Sequence, residues 1–400
     1  MGGRLYLAAH RKAQPAQSDT SRCVALNIFG GWSPSGPCFP HVCPQSLVAV
    51  LHFSQVLSDT VLKFPTHDAF VCYIDSREPA KLMHARFLMA SFLVLVEQHS
   101  AYDAFQRVCG FDPLAEDPYL RAGCDELVSV LDGLEALSHA KCMGLMQRLL
   151  DSDTLRAEVA HYANPLEGGC DWIVPDELMV LRCPTSMSDP TATYIDVQNR
   201  RYFSSNFFVE PFILMNISTV VSLSKSKYTQ YTTSTFEAAG ICCVNLECEE
   251  QGEPPIGFAQ EFLGIMDRSE SIGGAVAIHC RTGLGLSGFY SAIWLIRTHR
   301  FSVHAAIAWL RLVRPGCLTA EHEAFLRAVT SESKPEDRVS DSEAASGETA
   351  RHCVLQKKHR RASRGRTAAS NHRVRPESSL ALLPEGPEPR HRESDESESS

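Results

Sequence analysis

The chain has 400 residues, 44% of them hydrophobic and 21% charged, enough for two domains of ordinary size with residues left for tails. Its formal net charge of -9 excludes a global attraction to nucleic acid or to an anionic membrane, so any basic partner surface must be local. Fifteen cysteines scattered through so long a chain, with no signal h-region after Met1, read as reduced intracellular thiols rather than a disulfide framework.

The Met1-Gly2 opening would suit myristoylation, but Tyr6 stands where that signal needs Ser or Thr. Residues 1–45 mix Pro, Gly, Ser and Cys without a sustained period and read as an irregular lead-in. Residues 68–74 form a β-rich apolar run, and residues 85–105 follow with apolar positions at helical spacing. The most apolar stretch, residues 87–96, is about half the length a bilayer crossing needs, so it reads as a buried helix. A further helical pattern covers residues 124–150, with Leu127, Val130, Leu131, Leu134 and Leu137 on one face.

Turn formers crowd residues 164–171 and mark a boundary. Beyond it, residues 219–223, 244–246 and 275–278 read as short buried strands, and residues 258–266, 287–298 and 303–312 as helices. That alternation predicts an α/β sheet covered on both faces. After residue 329 large apolar residues become sparse, which predicts a disordered tail. Within it, Lys357-Lys358-His359-Arg360-Arg361 with Arg364 and Arg366 reads either as a nuclear-localisation cluster or as a solvated basic linker.

The chemistry concentrates after the strand at 275–278, in His279-Cys280-Arg281-Thr282-Gly283-Leu284-Gly285-Leu286-Ser287-Gly288. Glycines between strand and helix let successive N–H groups turn toward one point, an anion nest at a positive helix end. N–H dipoles around a thiol favour thiolate, so Cys280 is the candidate nucleophile. The Ser287 hydroxyl is placed to stabilise it. An inert buried thiol is the bland alternative. Cys242-Cys243 read as small packing residues in a strand, His161 as a hydrogen-bonded packing residue, and no His/Cys set has metal spacing, so neither metal nor cofactor is expected.

The loop, with His-Cys and then five residues before the Arg and Ser/Thr positions, resembles the signature of cysteine-dependent protein phosphatases. More narrowly the chain resembles the mitotic-exit, cell-division-cycle-fourteen type of dual-specificity phosphatase. The likeness continues through Ile307-Ala308-Trp309-Leu310-Arg311, Arg314-Pro315-Gly316, His161-Tyr162 and Asp171-Trp172-Ile173-Val174-Pro175, covering roughly residues 55–328 in order. It implies an α/β fold of two tandem cysteine-phosphatase-like domains, each with a central, mostly parallel sheet flanked by helices. The expected divisions are a non-catalytic domain at 46–163, a linker at 164–185, a catalytic domain at 186–329 and the tail at 330–400.

It also implies a mechanism: Cys attack on phosphorus, an Asp as general acid, and a loop Arg gripping the phosphoryl oxygens. Here the Arg position holds Leu286, which offers neither charge nor donors. Transition-state stabilisation should fall on the order of a thousandfold or more. The acid's place falls on Glu250, with Glu247, Glu249 and Glu253 close by, and a solvated acidic loop is the alternative. The family's water-positioning Gln residues are matched by Glu321-His322-Glu323, and the places of its acidic substrate groove by Ala160, Ala163 and Gly169.

Arg281, Thr282, Gly283, Leu284, Gly285 and Leu286 remain as the expected phosphate-binding loop around Cys280, with Glu250 and Ser287 completing the catalytic set. Arg281 and Arg314 are the candidates for a substitute guanidinium. The expected protein is a pseudophosphatase that binds phosphorylated proteins, with neither nucleic acid nor membrane as partner, in the cytoplasm or nucleus. A weakly active phosphatase using Cys280 and Glu250, and a redox-responsive regulator acting through Cys280, stand as alternatives.

Overall fold

The computed structural model describes residues 5–10, 23–27, 46–65, 69–75, 79–109, 130–189, 191–198, 200–225, 231–249 and 252–332. Residues before position 46, expected to be irregular, contain strands β1 (Leu5–His10) and β2 (Cys23–Asn27). Both pair in parallel with β3 (Ala69–Asp75), in the order β1-β3-β2. Each is an unbroken run of mainly small or apolar residues, so the pairing supplies a signal that period-two alternation lacks.

Helix α1 (Leu47–Lys63) starts where the Ser46 hydroxyl accepts from the Ala49 amide. The single helix expected over 85–105 is two, α2 (Pro79–Leu95) and α3 (Ala101–Cys109). Gln98 has φ 64°, the His99 amide reaches back to the Leu93 carbonyl, and Ser100 accepts from the Asp103 amide at 3.0 Å. A left-handed C-terminal cap followed at once by an N-cap overrides continuous helical spacing. The pattern over 124–150 also divides, into α4 (Val130–Cys142) and α5 (Leu145–Asp151), at Gly144 with φ 75°. Residues 124–129 lie outside the described residues. Helix α6 (Asp153–Ala163) follows, capped by Ser152.

The larger sheet has the order β4-β5-β10-β8-β9, comprising β4 (Cys170–Val174), β5 (Leu178–Arg182), β8 (Ile217–Ser224), β9 (Cys242–Cys248) and β10 (Ala275–Cys280). Only β4 runs antiparallel to its neighbour. All six residues of β10 are buried, as a central strand covered on both faces requires. A hairpin, β6 (Tyr194–Val197) and β7 (Arg200–Phe203), precedes α7 (Ser205–Leu214), and α8 (Ser234–Ala238) leads into β9. Helices α9 (Ile256–Ser271), α10 (Leu286–His299), α11 (Val303–Val313) and α12 (Ala320–Glu332) complete the fold. The tail expected from 330 thus begins after a helix that runs to Glu332; residues 333–400, with the basic cluster at 357–366, lie outside the described residues.

One cluster of buried apolar side chains extends from Leu47 to Leu326. Within it α11 is pinned to β4: a register shift between Trp172 and Val174 frees the Ile173 carbonyl, which accepts from the indole of fully buried Trp309 at 2.9 Å. On α4, His139 reaches the His299 carbonyl at 2.8 Å and packs edge-on against Phe301. Replacing Trp309 by Phe leaves the Ile173 carbonyl buried without that donor. Such a loss costs about 1–3 kcal/mol, to be read as a lower denaturation midpoint with an unchanged denaturant slope.

Candidate active site

Strands β5, β10, β8 and β9 run parallel, so their C-terminal ends meet at one edge, where open α/β sheets carry their ligand sites. Cys280 ends β10 there, 3% exposed. The chain turns through 281–285 and enters α10 at Leu286. Two glycines are sterically required in this region. Gly283 has φ 69°, and a Cβ on it would stand 2.5 Å from the Leu181 carbonyl oxygen; one on Gly288 would stand 2.2 Å from that of Cys317. The loop is therefore pressed between β5 and the segment after α11.

The Cys280 Sγ lies 3.5 Å from the Oγ of fully buried Ser287 and donates to the Leu284 carbonyl at 3.5 Å. The thiol and the serine hydroxyl are adjacent, and the backbone around them differs from the expected anion nest. The Gly283 amide donates to the Cys280 carbonyl at 3.2 Å, the Leu284 amide to Thr282 Oγ1 at 3.2 Å, and the Gly285 amide to the Cys317 carbonyl at 2.7 Å. The peptide joining Leu284 to Gly285 thus turns its carbonyl toward the thiol and its N–H away. The expected convergence of every loop amide on one point does not hold here. Buried backbone groups must be partnered, and these amides take acceptors within the chain.

Leu286 is 2% exposed and packed in the core, whereas Arg281 and Leu284 are exposed. Arg314 is not available as a substitute guanidinium. Its Nε donates to the Gly283 carbonyl at 3.0 Å, while Nη1 donates to the Gly169 carbonyl at 3.0 Å and to the Asp171 carboxylate. It grips the loop from outside. Burial pushes the Asp171 carboxyl up, and the Arg314 guanidinium opposes that rise.

Glu250 lies outside the described residues. Of its neighbours, Glu249 is ion-paired with Lys225, Glu247 accepts from the Asn245 amide side chain at 3.3 Å, and Glu253 is exposed. Of the residues matched to water-positioning glutamines, Glu323 is buried against Arg311, whereas the His322 ring lies over Gly285, whose Cβ would stand 3.1 Å from its Cε1. His322, which the resemblance matches to a water-positioning residue, thus packs its ring on the loop.

Cys242, read as a packing residue, is exposed on edge strand β9, and Cys243 is half-buried. His161 makes a 3.1 Å contact with Glu167 and an edge-on contact with Tyr162. Among the described residues no group of three or more His, Cys, Asp or Glu could hold a metal, and no helix is long and apolar enough to cross a membrane.

Behind the nucleophile, the fully buried His279 shares a 2.8 Å hydrogen bond with the Tyr231 hydroxyl, and its Nδ1 has no partner among the described residues. Burial lowers His279 from 6.5 to about 3 and pushes Tyr231 up, so the pair is neutral. The unfolded chain takes a proton at His279 as pH falls through 6.5, and the folded chain resists until about 3. Stability is therefore complete above the upper value and lost progressively below it, by up to about 1.4 kcal/mol per pH unit from this residue. His84, lowered by burial to about 4, contributes in the same sense. Thermal melts of wild type and His279→Asn between neutral and acid pH check this: the variant starts less stable and declines less steeply.

A family profile described as "Polymorphic toxin system, DSP-PTPase phosphatase" matches residues 211–300, from α7 through the loop and α10. The dual specificity protein phosphatase CDC14B of Mus musculus is 27% identical over 259 residues, covering 64% of this chain and 50% of that protein. CDC14A of the same organism is 26% identical over 292 residues, covering 71% and 45%. The chain thus spans about half the length of the curated relatives it matches. Among solved structures, Tk-PTP in its active form is 19% identical with a TM-score of 0.33, covering 41% of this chain and 97% of that one. With Cys280 at the end of a central parallel strand and its loop leading into α10, the chain is similar to dual-specificity protein phosphatases of the CDC14 type over residues that include this loop.

Proposed function

We propose that this chain is a pseudophosphatase that binds phosphorylated protein at the Cys280 loop without appreciable turnover. The observation that carries the proposal is the buried Leu286 side chain: the position that would hold a cation over the phosphoryl group presents only methyl groups to the core. Two further features support the loss of turnover. Arg314 is consumed by Gly283, Gly169 and Asp171, and His322 and Glu323 stand where water-positioning amides are expected. The retained thiol, the Ser287 hydroxyl and the glycines that permit the turn support binding. An entering anion turns the peptide between Leu284 and Gly285 so that its N–H replaces its carbonyl. Positive φ values of 69° at Gly283 and 99° at Gly285 flank the hinge of that rotation.

In this reading residues 46–163 form a non-catalytic phosphatase-like unit, residues 186–329 carry the site, and 164–185 link them. Cytoplasmic or nuclear residence belongs to the same proposal, supported by the basic cluster at 357–366.

Single-turnover and steady-state hydrolysis of an aryl phosphate by wild type, Cys280→Ser and Leu286→Arg tests the chemistry. The expected result is equal background rates for wild type and Cys280→Ser, with a gain on the order of a thousandfold or less in Leu286→Arg. Wild-type turnover that disappears in Cys280→Ser would overturn the proposal in favour of an active enzyme.

A further inference from the structure

Among the described residues many arginine side chains are paired with carboxylates. Arg148 sits on Asp176, Arg156 on Asp153, Arg201 on Asp196, Arg311 on Glu323 and Arg314 on Asp171. Arg182 differs. Its guanidinium carbon lies 4.3 Å from the Tyr202 ring centroid on β7, and among the described residues it meets neither a carboxylate nor a hydrogen-bond acceptor. A cation stacked on an aromatic face keeps its in-plane N–H groups open to an anion.

Its position is that of the site. Arg182 is the last residue of β5 and the register partner of Cys280 across the parallel β5–β10 pair. The next residue donates its amide to the Cys280 carbonyl at 3.1 Å, and the Gly283 turn packs against the Arg182 backbone, where an added Cβ would stand 2.9 Å from its nitrogen. Register partners on neighbouring strands carry their side chains on one face, about 4.8 Å apart. The Arg182 stem therefore begins one strand spacing from the nucleophile, at the same C-terminal edge, and it is only partly buried. Three methylenes and a planar fork span that interval.

We propose that Arg182 supplies from β5 the guanidinium that loop position 286 lacks, gripping the phosphoryl oxygens of a phosphorylated side chain above Cys280, with Tyr202 as the platform from which it swings. The inference rests on the reading of the loop as a phosphate-binding site and adds the residue that supplies the charge. Arg182 approaches from beside the loop instead of from the helix, which suits it to hold an oxyanion without lying along the line of attack.

The test measures binding of tungstate, a non-hydrolysable phosphate mimic, and of phosphotyrosine to the full chain by calorimetry. Wild type is compared with R182M, R182K, L286R and the double variant R182M/L286R, each checked for an unchanged thermal midpoint. R182M is expected to bind both ligands at least about tenfold more weakly, since a bidentate charge-assisted pair is lost. R182K is expected to recover part of the affinity and R182M/L286R most of it. Wild-type affinity in R182M would overturn the role of Arg182 while leaving the loop a phosphate site. Absence of binding in wild type, with binding in L286R, would overturn both this inference and the phosphoprotein-binding reading. Equal recovery in R182K and wild type would reduce the role to a point charge and overturn the bidentate grip.

Discussion

The site depends on one partly buried cation whose hydrogen bonds go to the loop and to the segment around β4. Arg314 ties the Gly283 carbonyl of the loop, the Gly169 carbonyl ahead of β4 and the Asp171 carboxylate into one cluster. These groups come from segments far apart in sequence, so the guanidinium fixes where the loop stands relative to the sheet's antiparallel edge. Breaking a buried pair of this kind leaves a charge without a partner and costs about 3–5 kcal/mol. That penalty also explains why Arg314 cannot serve the pocket: any rotation inward abandons Asp171, whose burial already disfavours its charge.

Around that anchor the loop obeys backbone accounting. With the Gly285 amide held by the Cys317 carbonyl, the peptide before it must present its carbonyl to the other side, where the thiol donates to it. The peptide between Leu284 and Gly285 thus presents its oxygen to Cys280, and the opposite orientation would present its N–H there. The loop can hold either arrangement because glycines stand on both sides of the turning peptide, at φ 69° and 99°.

Much of this was legible in the sequence. The run at 275–278, followed by glycines and an apolar helical pattern, located β10, the loop and α10, and the strands at 219–223 and 244–246 lie inside β8 and β9. The breaks at Gln98 and Gly144 were not legible, since local caps interrupt helices whose apolar spacing continues across them. Arg182 escaped notice for a different reason. Nothing within β5 marks it, and its meaning appears only when β5 is paired beside β10, about a hundred residues away, in a register that sets it against Cys280. His322 was singled out by its match to a water-positioning residue, but its contact with Gly285 depends on how α12 returns over the loop.

The persistence of the loop's shape alongside Leu286 has a physical explanation. Gly283 and Gly288 are required by the approach of the Leu181 and Cys317 carbonyls, so the turn is imposed by packing whether or not chemistry follows. A leucine buried at position 286 adds apolar burial, a gain of about 1.5–3 kcal/mol, whereas a guanidinium there is tolerated only with an anion to meet it. Packing and catalysis therefore place different demands on this position, and Leu286 satisfies the packing demand. What is left is a scaffold that holds a thiol, a hydroxyl and a rotatable peptide at the end of β10, with its one uncommitted guanidinium among the described residues of that edge supplied by the neighbouring strand.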